Sequence, residues 1–259
     1  MEKSLIFVTP NYKFNSMNND PFGVAIAAYY HGNKKACIVV NSTITQNEKI
    51  KVSALYRTYR GMPEMERVAL DECAGKILDI GAGSGAHSII LQKRKLDVTA
   101  IDLSPQACKI MLQRGIKKVV NGDIFNFQDN GFDTMLLLMN GIGIAGTLDG
   151  LDKLLVHLKT LLNKGGKIFL ESTDIMYMFV NEDGSMLVDL NSAYYGELEY
   201  VISYENHVAT FPWLYIDYST LESHALALGF QCKQLLNDHD ASYLACLELV
   251  PSDNINAKN

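Results

Sequence analysis

The sequence of 259 residues lacks two features that would each indicate a particular kind of partner. It has no basic excess, since 23 Lys and Arg stand against 29 Asp and Glu and the formal net charge is −6. Proteins that bind nucleic acid phosphates or an anionic membrane surface usually carry a basic excess, so both partners are disfavoured. It also has no long apolar run: the densest, residues 135–139, is far shorter than a membrane-spanning helix of about 20 residues.

Disulfide, metal and export motifs are missing as well. The five cysteines are odd in number and widely spaced, without a Cys-x-x-Cys pair, which favours free thiols in a reducing compartment. The histidines show no metal-ligand spacing, so we expect no metal. The apolar stretch at residues 5–8 is too short for a signal peptide, and we therefore expect a cytoplasmic protein.

What the sequence does contain, from about residue 63, is a regular alternation of short apolar strands and helices. Leucines at helical spacing between residues 148 and 163 predict the clearest helix. Continuously apolar strands separated by such helices predict a doubly wound α/β fold with a parallel sheet. Two strands around residues 237–240 predict an antiparallel hairpin. Ser219 and Glu222 predict a capping box that begins the last helix.

Polar side chains occur at or near the ends of consecutive predicted strands. The first strand runs into the glycine-rich segment LDIGAGSG, residues 78–85, and Asp102, Asp123 and Asn140 end the next three strands. Glycines let a ligand approach the backbone, and the helix that follows presents free amides. Because open α/β sheets bind ligands at the carboxyl ends of their strands, these residues predict a binding site. The glycine spacing also satisfies a relaxed dinucleotide fingerprint, which keeps an NAD(P)-dependent oxidoreductase as an alternative.

Five motifs together resemble the class I S-adenosylmethionine-dependent methyltransferases, over residues 61–249. They are LDIGAGSG, AIDLS, NGDIF, FDTMLLLMN and LNKGGKIFLES. The resemblance implies a mostly parallel seven-stranded sheet with an antiparallel last strand. It also implies S-adenosyl-L-methionine as the cofactor and S-adenosyl-L-homocysteine as the product. We expect an N-terminal arm or lid (residues 1–60) before a methyltransferase domain (61–259), with a tyrosine-rich lid inserted at about 172–218.

The same resemblance implies which residues lie along the cofactor. The glycine loop would pass under its methionine part, and the polar strand ends would hold its amino group, ribose and adenine. The implied residues are Asp79, Gly81, Ala82, Gly83, Asp102, Leu103, Asp123, Ile124, Met139 and Asn140, with Tyr59 and Arg60 from the arm. Leu103, Ile124 and Met139 fit a plain hydrophobic core equally well, and Arg60 fits a solvated surface position.

The acceptor is expected to be a small molecule. The motif MNGIGIAG differs from the Asn-Pro-Pro-Tyr type that holds planar amino groups, and no cysteine follows a proline. Together with the acidic charge, this disfavours nucleic acid, while a peptide or protein acceptor remains an alternative. The insertion predicts an aromatic pocket for an amine or a planar acceptor, lined by Tyr177, Tyr200, Trp213 and Tyr215.

Other interpretations of the same residues stay open. The insertion's aromatic residues would equally suit a hydrophobic lid core or a dimer contact, and the chain could be a non-catalytic cofactor-binding or interaction protein. His87, after the glycine loop, could meet the cofactor or simply pack. A general base is needed only if the acceptor arrives protonated. The candidate bases, none supported by spacing, are Glu171, Asp174 and His207, and Asn140 is a further catalytic candidate.

Overall fold

The structure is a computed structural model that describes residues 20–180 and 193–249, and the backbone of the strand at Leu5–Val8. The strands are β1 (Leu5–Val8), β2 (Cys37–Ser42), β3 (Glu48–Lys51), β4 (Lys76–Ile80), β5 (Asp97–Asp102), β6 (Lys118–Asn121), β7 (Phe132–Leu137), β8 (Leu162–Thr173), β9 (Glu197–Tyr204), β10 (His207–Leu214), β11 (Phe230–Asn237) and β12 (Ser242–Leu249). The helices are α1 (Pro21–Tyr30), α2 (Glu64–Asp71), α3 (Ala86–Lys93), α4 (Pro105–Gln113), α5 (Leu148–Leu161) and α6 (Tyr218–Ala227). Within these described residues, no helix is long and apolar enough to cross a membrane.

The larger sheet confirms the predicted α/β class and strand arrangement. Its order is β1-β6-β5-β4-β7-β8-β12-β11. The strands from β6 to β8 are parallel, and β12, the last in the chain, is antiparallel to both of its neighbours. Seven of these strands are the predicted ones. The eighth, β1, pairs in parallel with β6 at the edge, and four apolar residues carry too little pattern to predict it.

Burial of apolar side chains positions the sheet between its helices. The leucine stripe predicted between residues 148 and 163 forms α5, whose leucines at 151, 154, 155 and 158 are fully buried against the sheet. On the strands, buried residues run nearly without interruption, as in β4 and β7. Strands covered on both faces lose the alternation of polar and apolar residues, so the carboxyl ends of the strands remain the place for polar ligands.

A second, four-stranded sheet joins two segments that the sequence presents as separate coverings. Its order is β10-β9-β2-β3, with every pair antiparallel. The hairpin β9–β10 comes from the insertion, whereas β2 and β3 precede the core, and Val40 of β2 lies opposite Ile202 of β9. Helix α1 lies between this sheet and α4. Residues 181–192 of the predicted lid lie outside the described residues.

The predicted capping box at the start of α6 is wrong. The N-cap is Asp217, whose Oδ1 accepts a hydrogen bond from the Thr220 N–H at 3.0 Å. Ser219 instead donates its hydroxyl to Asp217, and Glu222 accepts from the Tyr218 hydroxyl. A carboxylate two residues upstream is a strong acceptor for the free amides of the first turn, so the helix begins earlier than the box predicts.

Candidate active site

The glycine loop, residues 81–85, connects β4 to α3 and wraps around the end of β5. Gly81, Gly83 and Gly85 have φ angles of +67°, +56° and +77°, a region that glycine adopts readily. The Gly81 N–H donates to the Ile101 carbonyl at 2.9 Å. A Cβ on Gly85 would lie 2.1 Å from Ile116, whereas a Cβ on Gly83 would meet nothing closer than 3.9 Å. Gly85 is thus required by packing, and the space beside Gly83 is free for a ligand.

Asp102, at the end of β5, holds this loop in place. One carboxylate oxygen accepts the Gly83 N–H at 2.7 Å and the other accepts the Ser104 N–H at 2.8 Å. Burial raises the pKa of the Asp102 carboxyl to about 6, although these two hydrogen bonds oppose the shift. The next residue, Leu103, leaves 39% of its surface exposed beside this carboxylate. A carboxylate next to an exposed apolar side chain suits a ribose attached to a flat ring.

Asp79 and Asp123 both accept hydrogen bonds from residues close to them in the chain. Asp79 is buried and accepts hydrogen bonds from the Ser88 hydroxyl at 2.5 Å and the Ser88 N–H at 3.1 Å, so it braces the first turn of α3. Burial raises the pKa of the Asp79 carboxyl. Asp123 caps the short 3₁₀ turn Ile124–Asn126 by accepting from the Phe125 N–H. Ile124 is buried in the main hydrophobic core, which agrees with the core alternative for its side chain.

Met139 and Asn140, here called the floor, follow β7 in an unusual backbone conformation. Both have left-handed φ angles, +58° and +57°, which cost about 1–3 kcal/mol at a non-glycine residue unless the surroundings compensate. Two side chains of β8 hold them: Glu171 Oε2 accepts the Met139 N–H at 2.7 Å, and Thr173 donates its hydroxyl to Asn140 Oδ1 at 3.0 Å. Strain held in this way is characteristic of functional sites.

Glu171 belongs to a cluster of charged side chains that we call the buried charge cluster: Arg57, Glu66, His87 and Glu171. His87 Nε2 lies 2.8 Å from Glu66 Oε2, and Arg57 forms an ion pair with the other oxygen of Glu66. Burial lowers the pKa of His87, but the hydrogen bond with Glu66 and the charge of Asp79 raise it overall. The sequence analysis missed Arg57 and Glu66, because residues from separate elements carry no spacing signal.

Within this cluster, Glu171 has the most unusual environment. Burial and the charge of Glu66 raise the pKa of the Glu171 carboxyl to about 7, although the Met139 N–H and the charges of His87 and Arg57 oppose this. Its Oε1 atom is buried and has no hydrogen-bond partner. Such an uncompensated carboxylate oxygen is costly to bury, which makes this residue a candidate for function.

The contact between the arm and the glycine loop is made by residues that the sequence analysis did not single out. The Ser84 hydroxyl donates to the Leu55 carbonyl, and Arg114 donates to Ser84 Oγ at 2.6 Å. The two predicted arm residues lie elsewhere. Tyr59 donates its hydroxyl to Asp71, and its ring lies under Arg94 at the carboxyl end of α3. Arg60 is exposed. Cofactor contacts by these two residues remain predictions.

Helix α1 reaches the site through its first residues. Its N-cap, Asp20, accepts the Gly23 N–H at 2.8 Å and the Ser104 hydroxyl at 2.7 Å, two residues after Asp102. Burial raises the pKa of Asp20, although the hydrogen bonds from Ser104 and Gly23 oppose the shift. His207 begins β10 and Trp213 lies near its other end, so about 20 Å of strand separates these two predicted residues.

The hairpin β9–β10 packs on the segment that follows the floor. A Cβ on Gly143 would lie 2.1 Å from the Trp213 indole, which shows that the ring rests on this backbone. Tyr200 stacks on Trp213, with ring centroids 5.8 Å apart and planes 20° apart. The hydroxyls of Tyr200 and Tyr215 share a hydrogen bond of 2.7 Å. Three of the four predicted pocket residues are thus in one cluster next to the floor.

The remaining predicted residues follow β8. Tyr177 is 60% exposed, and Asp174 accepts a hydrogen bond from the Tyr195 hydroxyl at 2.7 Å. Asp174 is therefore already hydrogen-bonded within the insertion, whereas Tyr177 is mostly exposed. Among residues 20–180 and 193–249, no group of three or more His, Cys, Asp or Glu side chains could hold a metal ion.

Comparisons with known proteins agree with this geometry. A family model described as a methyltransferase domain matches residues 78–170. A SAM-dependent methyltransferase from Bacteroides fragilis, solved with S-adenosyl-L-homocysteine, is 37% identical with a TM-score of 0.85, and the match covers 91% of this chain and 97% of that one. No curated protein sequence matches the chain.

Two more distant structures share the fold. CalS10 from Micromonospora echinaspora, described as an amino pentose methyltransferase, is 19% identical with a TM-score of 0.55; the match covers 80% of this chain and 100% of that one. The CcbJ methyltransferase from Streptomyces caelestis is 13% identical with a TM-score of 0.53, covering 76% and 94%. At these identities, the likeness concerns the fold alone.

Proposed function

This chain belongs to the S-adenosylmethionine-dependent methyltransferases, and on that premise we propose that it methylates a small-molecule acceptor held between the floor and the hairpin β9–β10. S-adenosyl-L-methionine is the cofactor and S-adenosyl-L-homocysteine the product. The observation that supports the acceptor proposal is the packing of the Trp213 indole on Gly143, in the segment that follows the floor. A net charge of −6 also favours a small molecule over nucleic acid.

The cofactor fits the residues at the carboxyl ends of β4 to β7. Gly83 leaves open space for the methionine part, and Asp102 would accept hydrogen bonds from the ribose hydroxyls. Leu103 would offer its exposed surface to the adenine, whose amino group Asp123 would bind. The side chain of Ile124 lies in the core, so it would contribute to this end of the site only by supporting its neighbours.

The reaction requires mainly alignment from the protein. When bound, S-adenosyl-L-methionine supplies a methyl group that is already activated. Met139 and Asn140 then fix the surface along which the acceptor approaches, because Glu171 and Thr173 hold their backbone. Proximity and exclusion of water contribute much of the acceleration in such a site. The aromatic cluster of Tyr200, Trp213 and Tyr215 encloses the acceptor and suits an amine or a planar group.

The experiment that tests the cofactor is calorimetric titration with S-adenosyl-L-homocysteine, with NAD and NADH as controls. We expect micromolar binding of S-adenosyl-L-homocysteine alone. Binding of only the dinucleotides would contradict the proposal and favour the oxidoreductase alternative.

The acceptor is tested by incorporation of labelled methyl groups. Metabolite fractions and amino sugars, the class that CalS10 suggests, are incubated with methyl-labelled cofactor and the protein. We expect label in a small molecule, at a rate that Trp213→Ala reduces. Label transferred only to protein or nucleic acid would contradict the small-molecule acceptor while leaving the family assignment intact.

A further inference from the structure

We propose that Glu171 is a specificity-determining residue that makes the site favour the positively charged cofactor over its neutral product. S-adenosyl-L-methionine carries a sulfonium, and S-adenosyl-L-homocysteine carries a neutral thioether in its place. The two molecules otherwise share the same groups, so discrimination between them must come from the methyl group or from charge. The inference rests on the proposed function, in which the resemblance to the family implies that the sulfonium would lie beside the floor.

Glu171 is an acidic side chain that is hydrogen-bonded to the floor. Its Oε2 accepts the Met139 N–H at 2.7 Å, which places the carboxylate against the backbone that the sulfonium would approach. The side chain is on β8, next to β7 in the sheet, and is not part of the glycine loop. Its charge would therefore act on the sulfonium from the neighbouring strand, across the backbone of the floor.

The charge of Glu171 is poorly compensated by hydrogen bonds. Oε1 is buried and accepts no hydrogen bond, so no donor offsets its negative charge. This charge is available to stabilise a positive charge at the floor. In a site shielded from water, charges act on each other over several ångströms. A neutral thioether gains nothing from this carboxylate.

The charged groups around Glu171 influence its pKa, which lies near neutral pH. They are Glu66 from α2, His87 from α3 and Arg57 from the segment before α2, while Met139 contributes an N–H. Glu66 raises the pKa of Glu171, and the two cations lower it less than burial raises it, to a net value of about 7. A sulfonium at the floor would shift this equilibrium towards the carboxylate.

The test compares the dissociation constants of both ligands for the wild type and for Glu171→Gln. The amide oxygen of glutamine can still accept the Met139 N–H, so the floor keeps its conformation while the charge is removed. We expect a roughly tenfold loss of affinity for S-adenosyl-L-methionine and a change within about twofold for S-adenosyl-L-homocysteine. The matched control is Glu72→Gln, which removes an equal charge from an exposed residue beyond α2. It should leave both constants unchanged.

A second measurement needs no variant. In the wild type, the preference for S-adenosyl-L-methionine should increase as pH rises from 6 to 8, because Glu171 becomes ionised over that range. Equal losses for both ligands in Glu171→Gln, or a preference independent of pH, would overturn the inference while leaving the proposed function intact. If the wild type binds neither ligand, the proposed function fails, and this inference fails with it.

Discussion

At the scale of single residues, the site depends on carboxylates whose partners are backbone amides. Asp102 accepts two N–H groups, and Glu171 accepts one. Both are held in water-poor surroundings that raise their pKa values, to about 6 and about 7. A ligand that brings hydroxyl donors or positive charge therefore relieves a cost that the free protein carries.

Asp102→Asn should weaken binding of S-adenosyl-L-homocysteine about tenfold or more. The amide keeps one oxygen, but its NH₂ group would face the Gly83 or Ser104 N–H and cannot accept from ribose hydroxyls. Calorimetric titration measures the change. Asp97→Asn is the control, because Asp97 begins the same strand and is paired with Lys118 on the surface. Equal affinity in both variants would contradict the assignment of Asp102 to the ribose.

The pH dependence of the same titration follows from the raised pKa of Asp102. In the free protein, the carboxyl is protonated below about pH 6 and must lose its proton to accept ribose hydroxyls. Affinity for S-adenosyl-L-homocysteine should therefore be constant well above pH 6 and fall below it, by up to tenfold per pH unit. Asp102→Asn should not show this fall; a fall that persists in the variant would indicate another group.

At the scale of secondary-structure elements, the hairpin β9–β10 determines what lies above the floor. Trp213 and Phe211 lie two residues apart on β10 and so share one face of the strand. Trp213 rests on Gly143, while Phe211 packs edge-on against Trp213 and also towards the cluster that contains α1. One face of β10 thus contacts both the segment that follows the floor and the cluster around α1.

Trp213→Ala should raise the KM for the acceptor by about tenfold or more while leaving the affinity for S-adenosyl-L-homocysteine within about twofold. The indole rests on Gly143, in the segment that follows the floor. Val208→Ala is the control, since it truncates an exposed side chain of the same strand and should leave KM unchanged. Steady-state kinetics with the acceptor found by methyl labelling provides the measurement. A weakened cofactor and an unchanged KM in Trp213→Ala would contradict the pocket assignment.

At the scale of the whole molecule, the second sheet ties the N-terminal segment to the insertion. Val40 and Ile202 are both buried and lie opposite each other on neighbouring strands. The sheet packs on α1, and α1 packs on α4 beside the proposed cofactor site. The N-terminal segment and the insertion therefore form one connected structure.

Ile202→Ala should destabilise the protein by about 2–5 kcal/mol, the usual cost of truncating a fully buried isoleucine. Because β9 pairs with β2, amide hydrogen exchange should accelerate in both strands, although they are more than 150 residues apart in the chain. Exchange measured by mass spectrometry reports this. Val208→Ala, at an exposed position of β10, is the control and should change stability by less than about 0.5 kcal/mol. Faster exchange confined to β9 would contradict the coupling.

The sequence by itself determined the features that depend on local pattern. Apolar strands, the leucine stripe of α5, the glycine loop and the strand-end acids all follow from periodicity and from residue types that few other conformations tolerate. Together with the five family motifs, these predicted the fold class, seven strands with an antiparallel last strand, and the cofactor. They also placed Asp102 next to the loop that it holds.

Only the tertiary structure decided which distant residues meet. The buried charge cluster brings together four residues from separate elements: Arg57, Glu66, His87 and Glu171. The second sheet pairs a strand that precedes the core in the chain with a strand of the insertion. Burial, which raises the pKa of Glu171 and leaves its Oε1 without a partner, is a property of packing. Such contacts carry no spacing in the chain, because the free energy that selects them comes from surfaces brought together only when the molecule folds.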